Sequence, residues 1–256
     1  MLNVRGNSIT TVGIYTRVIR SVINESIEQK KFLNKEDYPF GRRRYGIPTG
    51  RNIKKTLNKE SISKLYYSDL ENESQQKARD FWFFSFYASG INVKDIICLK
   101  YKNIQGEFLV FERAKTQNAT RGGEPIVISS FINQDMLDII ERWGNKDTSP
   151  DNYIFPILSP GLSPIRQFEI KRNFIQFINK NMAKVSHKEM IGKKVKTMET
   201  RHSASTLMKN AGVHAHFIKE ALGHTSLKTT ENYLAGFENE QKKEFSKVLD
   251  SFKVGQ

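Results

Sequence analysis

The 256-residue sequence contains one cysteine, Cys98, which excludes a framework of disulfide bonds within the chain. Cys98 stands among Ile96, Ile97 and Leu99, so it is predicted to be a reduced core residue. No run of about 18 apolar residues occurs, which argues against a membrane-spanning helix. The N-terminal MLNVRGNSITT lacks the apolar block of a secretion signal. These absences favour a cytoplasmic protein.

Acidic residues are also scarce, with 27 Asp and Glu against 41 Lys and Arg, and the net charge is +14. No acid lies between Asp37 and Glu60, a segment that holds seven cations. A concentrated cationic segment favours a polyanionic partner, because neutralised phosphates release counterions. A solubility charge spread over the surface is the alternative. The cations predicted to contact nucleic acid are Arg42, Arg43, Arg44, Arg51, Lys54 and Lys55.

Hydrophobic periodicity predicts a mostly helical chain with 38% apolar residues. The first helix is expected within residues 8–34, capped by Ser8 or Thr10, with an apolar stripe that needs a partner. Residues 38–59 show no clear period and are predicted to form a linker. Further helices are expected over 59–70, 78–90, 91–104, Asn133–Trp143 and Ser163–Met182, and strands over 106–113 and 124–130. This pattern predicts an α+β fold, mostly α, with a small antiparallel sheet.

The segment TRHSASTLMKNAGVHAHFIKEALGHTSLKTTENY, residues 200–233, allows two interpretations. In the first, it forms three short helices whose ends are marked by Gly212 and Gly223, and its polar residues are incidental. In the second, Arg201, His224 and Tyr233 form one site that attacks a phosphodiester. An arginine fork matches phosphate oxygens, histidine can donate or accept a proton, and an activated phenol is a nucleophile.

The motifs TRHS, LGHTS and TTENY resemble the C-terminal signature of the tyrosine recombinases, the phage integrase family. Arg201 and His224 are 23 residues apart and His224 and Tyr233 are 9 apart, spacings typical of that family. Upstream, the resemblance continues through SFYASGINVKDIICLKYKNI, through FLVFERAKTQ with EPIVIS, and through TVGIYTRVIRSVIN with KKFLNKEDYPF. It therefore covers nearly the whole chain.

The resemblance implies a site-specific recombinase that forms a 3′-phosphotyrosine and needs no metal or other cofactor. Tyr233 would be the nucleophile, Arg201 would clamp the scissile phosphate and His224 would hydrogen-bond the same phosphate. Lys115 would be the general acid for the leaving 5′-oxygen, although a solvated turn lysine is the alternative. His202 is expected to be a buried structural residue.

Two positions depart from the family pattern. Asn92 stands where the family usually has its first active-site arginine, and Met198 stands where it usually has His or Lys. Asn92 has a structural explanation, because with Asp95 it forms an N-x-x-D capping box. Lys94 is the nearest cation that could replace the missing charge, and Arg79 is a weaker candidate.

The resemblance also implies a domain organisation, in a chain that looks short at its N-terminus. Residues 1–40 would be part of a helical, SAM-like core-binding domain, 41–58 a basic linker and 59–237 the catalytic domain. The tail, 238–256, would dock on a neighbouring protomer in a homotetramer. The expected partners are double-stranded DNA and accessory DNA-bending proteins, and the expected setting is a phage or other mobile element at the prokaryotic nucleoid.

Three hypotheses follow. The chain is an active DNA strand transferase, or a relative weakened by Asn92 and Met198 that only binds DNA, or an unrelated basic helical module that binds RNA or DNA. The third leaves the motif spacings unexplained.

Overall fold

The structure of the protein is a computed structural model. It describes residues 6, 8–29, 35–41, 43–49, 56–113, 126–224, 227 and 230. Contacts divide the chain into two compact units, Met1–Ile53 and Lys54–Gln256. In the described part of the chain, no helix combines the length and the apolarity needed to cross a membrane.

The first unit contains helix α1, Ile9–Glu28, capped by Ser8, whose hydroxyl accepts from the Thr11 amide at 3.2 Å. The predicted helix and its Ser8 cap are confirmed. Gly13 lets the helix approach the following segment, because a Cβ at this position would lie 2.3 Å from the Pro48 carbonyl oxygen. Val12 is buried there. Most of the stripe differs from expectation, because Tyr15, Val18 and Val22 are more than half exposed and Ile19 is 49% exposed.

The segment predicted to be an irregular linker contains a compact aromatic turn. A short 3₁₀ helix, Lys35–Asp37, precedes it. Phe40 and Tyr45 are joined by a β-bridge, and the Phe40 ring lies 5.8 Å from the Tyr38 ring and 6.0 Å from the Tyr45 ring. Arg44 donates to the Tyr38 carbonyl. The turn is stabilised by rings packed edge to face and by one arginine.

The described part of the second unit contains seven further helices. They are α2 Lys59–Tyr66, α3 Glu73–Tyr87, α4 Val93–Ile96, α5 Gln134–Trp143, α6 Pro164–Lys188, α7 Thr197–Asn210 and α8 Ala215–Ala221. Polar caps explain where several of these helices begin. In each, the side chain of the capping residue accepts a hydrogen bond from a backbone amide of the first turn; the caps are Asn58, Asn72, Asn133 and Ser163.

Several predicted helix boundaries were wrong. Helix α3, expected from residue 78, begins at Glu73, because Asn72 caps it there. Helix α2, expected to reach residue 70, ends at Tyr66. The helix expected to end at Met182 continues to Lys188, because Val185 and Ser186 remain on its buried face. The helix expected over 91–104 is shorter. It consists of α4 followed by a separate 3₁₀ turn, Tyr101–Asn103, because the chain turns at Ile97 to begin the sheet.

The sheet has three antiparallel strands in the order β1 Ile104–Gln105, β2 Phe108–Glu112 and β3 Val127–Phe131. The two predicted strands are therefore confirmed, and β1 adds a two-residue pairing too short to show a period. Phe111 pairs with Ile128 and Leu109 with Ser130 in the register of β2 and β3. Their alternate side chains enter the core.

Helix α3 crosses the centre of this unit. Phe81, Trp82 and Phe84 are completely buried, which explains why this aromatic helix has no polar face along its middle. The Trp82 indole donates to the Lys196 carbonyl at 3.0 Å, immediately before α7. The Ser85 hydroxyl bonds the Thr200 hydroxyl at 2.9 Å. Helix α3 thereby fixes the position of the first turn of α7.

The carboxylate of Asp135 on α5 affects two tyrosines, Tyr66 at the end of α2 and Tyr87 at the end of α3. The Tyr66 hydroxyl donates to Asp135 at 2.5 Å, and this bond is the main cause that raises the pKa of Tyr66. Burial, followed by the charge of Asp135, raises the pKa of Tyr87. Each phenol therefore contributes stability that is complete below the unfolded pKa of about 10 and is lost as pH rises through the higher folded pKa.

We predict that Asp135→Asn lowers the pKa of Tyr66, because the amide keeps an acceptor but removes the charge. NMR titration of ring-labelled tyrosine measures this pKa, and urea midpoints between pH 8 and 11 measure the loss of stability. Asp138→Asn is the control on the same helix. Equal tyrosine pKa values in the wild type and in Asp135→Asn would contradict the assignment.

Candidate active site

Arg201 lies one turn into α7 and is 5% exposed. The chain reverses above it at Ser89 and Gly90, which have φ values of 58° and 78°. A Cβ at Gly90 would lie 2.6 Å from the Arg201 Cα, so only glycine allows this approach. The Gly90 carbonyl accepts from the Arg201 Nη1 at 3.1 Å. The turn that follows α3 therefore packs directly against Arg201.

The opposite edge of the Arg201 guanidinium contacts the turn that follows α8. Its Nη2 donates to the Leu222 carbonyl and lies 2.8 Å from the His224 Nε2. Because arginine has no acceptor, the His224 Nε2 must accept this bond. The other ring nitrogen, Nδ1, lies 3.0 Å from the Thr230 hydroxyl, to which it donates as the neutral tautomer. His224 is therefore an uncharged imidazole in this arrangement.

The turn that carries His224 is held by backbone bonds. The Gly223 amide donates to the Glu220 carbonyl at 2.8 Å, and the His224 amide donates to the Lys219 carbonyl at 3.0 Å. Gly223 follows the helix end with φ 59°, which confirms its predicted role as a helix stop. His224 is 6% exposed. Arg201 and His224, which the family resemblance predicts to form one site, are thus in direct contact.

Arg113 is a further residue at this turn, and no motif in the sequence indicates it. It follows β2 directly and its Nη1 donates to the Gly223 carbonyl at 2.6 Å. The cavity beside His224 measures about 430 Å³, within the roughly 300–1,000 Å³ of small-molecule sites. Its lining joins the sheet edge to α8, through Ile126, Val127, His216, Lys219, Glu220, Gly223 and His224.

Asn92 caps α4 and contributes no charge. It is exposed, and its Oδ1 accepts from the Lys94 amide at 3.0 Å. The predicted cap at Asn92 is confirmed, but its bond goes to Lys94 and not to Asp95, as the predicted capping box requires. Lys94 is exposed on the same short helix. Arg79, the weaker candidate for the missing charge, is committed elsewhere, because it donates to the Tyr66 carbonyl at 2.9 Å and lies 3.6 Å from Asp80.

Two other predictions near Arg201 can be placed. Met198 is 44% exposed at the start of α7, so the position that departs from the family pattern faces outward. His202 is half-buried, less than the burial that was expected. Among the described ranges, no group of three or more His, Cys, Asp or Glu side chains could hold a metal ion.

Several predicted residues lie outside the described residues. They include the proposed nucleophile and general acid, the C-terminal tail and most of the cationic segment, namely Tyr233, Lys115, 238–256, Arg42, Arg51, Lys54 and Lys55. Arg43 and Arg44 are described in the first unit and are exposed.

The fold is similar to that of solved recombinases. The integrase of the Tn1549 transposon, in complex with a circular intermediate DNA, matches with a TM-score of 0.64 and 15% identity over 96% of this chain and 82% of that chain. The XerH site-specific recombinase bound to difH substrate matches with a TM-score of 0.60 and 15% identity, over 91% of this chain and 64% of that chain. The fold is thus that of the tyrosine recombinases.

Sequence comparison defines the family. Residues 55–240 match the family model of the phage integrase family. The chain belongs to this family. It is 25% identical to tyrosine recombinase XerA of Pyrococcus furiosus, over 91% of this chain and 72% of that protein. It is 24% identical to a probable integrase/recombinase protein of Methanocaldococcus jannaschii over 91% of this chain, and it spans 64% of that relative's length.

We predict that Gly90→Ala displaces Arg201 and destabilises the fold more than Gly106→Ala does. Both glycines have positive φ, so both variants carry roughly 1–2 kcal/mol of backbone strain. Gly106 has open space around it, whereas the new methyl group at Gly90 would meet the Arg201 backbone. Urea denaturation measures both differences in unfolding free energy. Equal losses would show that the approach of Gly90 to Arg201 does not constrain the site.

Proposed function

We propose that the protein is a site-specific DNA recombinase of the integrase type, which cleaves and rejoins DNA through a phosphotyrosine intermediate. The observation that carries the proposal is the contact between Arg201 Nη2 and His224 Nε2 at 2.8 Å. Arg201 comes from α7 and His224 from the turn that follows α8, and they stand at the family's motif spacing, 23 residues apart.

The buried Arg201 suits a phosphate clamp. A guanidinium is permanently charged and its planar donors match the nonbridging oxygens of a phosphodiester. Gly90 and Leu222 provide carbonyl acceptors that hold the group in orientation before DNA arrives. Donors held in advance lower the reorganisation needed as negative charge develops on the phosphate. The nearby His224 would share the same phosphate.

The proposed cleavage step exchanges one phosphate ester for another. The Tyr233 oxygen attacks phosphorus, a bond to the tyrosine oxygen forms and the bond to the 5′-oxygen breaks. Lys115 donates a proton to that leaving oxygen, which becomes a 5′-hydroxyl. The phenolic proton passes to the His224 Nε2, whose lone pair becomes available once the phosphate takes the Arg201 donors. The protonated imidazole then donates to the phosphate, and reversal of these transfers rejoins the strand.

The position of Asn92 defines what this site lacks. A second guanidinium there would strengthen the phosphate clamp, and loss of one such donor ordinarily costs a factor of 10² to 10³ in rate. Lys94 is exposed beside Asn92 on α4, so its ammonium is the candidate replacement. Arg79 is excluded as the replacement for the missing arginine, because its guanidinium binds the Tyr66 carbonyl on α2 and the Asp80 carboxylate.

The proposed organisation follows the family. Residues 1–40 would belong to a core-binding domain, 41–58 to a basic linker along the DNA, and 59–237 to the catalytic domain. The tail, 238–256, would join protomers into a homotetramer on double-stranded DNA, with accessory DNA-bending proteins. We propose that the DNA that the protein recombines belongs to a phage or another mobile element. The basic segment and the relatives that are solved with DNA support this assignment.

A DNA-binding relative without catalysis is the second candidate function. The observation that favours it is the neutral Asn92, which is exposed and used as a helix cap. The two functions differ in whether a covalent adduct forms on DNA.

We predict that a nicked suicide substrate traps a covalent protein–DNA adduct, which resists denaturation because the phosphotyrosine cannot be reversed once the short strand is lost. Tyr233→Phe should abolish the adduct and leave DNA affinity unchanged. Tyr67→Phe, at a tyrosine that is 80% exposed, is the matched control and should form the adduct normally. Binding of cognate DNA without any adduct would leave only the second function.

We further predict that Lys94→Glu slows adduct formation by about 100-fold, because it replaces a cation near the phosphate with an anion. Lys146→Glu, three residues beyond the end of α5, changes the net charge equally and should have little effect. Single-turnover rates at saturating DNA separate this loss from weaker binding. A normal rate in Lys94→Glu would exclude Lys94 as the replacement.

A further inference from the structure

Two arginines hold consecutive carbonyls of the turn that carries His224. Arg201 donates to the Leu222 carbonyl from the side of α7, and Arg113 donates to the Gly223 carbonyl from the side of the sheet, at 2.6 Å. The two residues come from chain segments that are 88 positions apart in the sequence. The turn is therefore fixed from two directions by groups that remain charged at every physiological pH.

The contact of this turn with the sheet is close. A Cβ at Gly223 would lie 2.8 Å from the Ile128 Cδ1 and 3.2 Å from the Arg113 Cδ. The Arg113 amide in turn donates to the Ile126 carbonyl at 3.2 Å, which places its backbone in register with β3. Arg113 is thus anchored at its backbone by the sheet while its guanidinium holds the turn.

We propose that Arg113 is a positioning residue, which orients His224 toward Arg201 by fixing the Gly223 carbonyl against the sheet. This inference rests on the recombinase function proposed above. The Gly223 carbonyl belongs to the peptide bond that leads into His224, so its direction determines the plane of that peptide and the start of the histidine side chain. Rotation of the peptide would move Nε2 away from the Arg201 donor.

The geometry explains why an arginine stands here. A partly buried carbonyl needs a partner, and a charged donor gives a shorter and stronger bond than a neutral one. The Arg113 Cδ fills the space beside Gly223, so the aliphatic part of the side chain packs there while the guanidinium donates to the carbonyl. Lysine could reach the same carbonyl with one donor, but its ammonium lacks the planar fork. Methionine would fill the space without donating.

The test compares Arg113→Met and Arg113→Lys in the full chain. Amide hydrogen exchange at Gly223 and His224 measures how firmly the turn is held, because both amides donate within it. Single-turnover adduct formation on the suicide substrate measures chemistry, and DNA titration measures affinity. Arg142→Met is the matched control, since Arg142 also makes a part-buried bond, to Asp80 at 2.6 Å, and lies outside the site.

We expect Arg113→Met to accelerate exchange at both amides by about tenfold and to slow adduct formation by about tenfold, the effect of one lost hydrogen bond, with DNA affinity unchanged. Arg113→Lys should restore part of both. Arg142→Met should lower thermal stability without changing either readout per folded molecule.

Unchanged exchange in Arg113→Met, or an equal change in Arg142→Met, would overturn the proposal. If Arg113→Met fails to fold, the intermediate behaviour of Arg113→Lys decides. If the wild type forms no adduct, the recombinase function fails, and amide exchange still decides whether Arg113 holds the turn.

Discussion

The guanidinium of Arg201 is the group on which the site depends. It lies inside the domain, where an unsatisfied charge would cost several kcal/mol, so the surrounding chain must supply acceptors. The Gly90 carbonyl satisfies one edge, and the Leu222 carbonyl and the His224 ring satisfy the other. The charge can therefore be buried only where α7, the turn at Gly90 and the turn of Leu222 and His224 come together. The same condition holds the guanidinium in one orientation.

The local part of this arrangement could be predicted from the sequence. Helix ends depend on neighbouring residues, so Asn92 and Asn133 as caps and Gly212 and Gly223 as stops follow from short patterns. The pairing of Arg201 with His224 was also predictable, although only from the family's motif spacing. Periodicity alone left Arg201 as an incidental residue in the first turn of a helix and His224 as an incidental turn residue.

The rest depends on contacts between distant segments, which no local pattern encodes. Arg113 meets Gly223 across 110 residues, and Gly90 meets Arg201 across 111. The glycine pattern predicted a helix break at Gly90 but could not show which backbone lies against it. The apolar stripe of α1 shows the opposite error, because periodicity predicts burial and Tyr15 and Val18 are exposed. Hydrophobic periodicity indicates which face of a helix is apolar, but it does not indicate what packs against that face.

The hydrogen bond from His224 Nδ1 to the Thr230 hydroxyl completes the hydrogen bonding of the ring. Arg201 can only donate, so its contact makes Nε2 the acceptor and leaves the ring proton on Nδ1. The Thr230 hydroxyl can donate or accept, so it adapts to this pattern and gives the buried proton an acceptor. One buried cation therefore sets the direction of both hydrogen bonds that the ring makes.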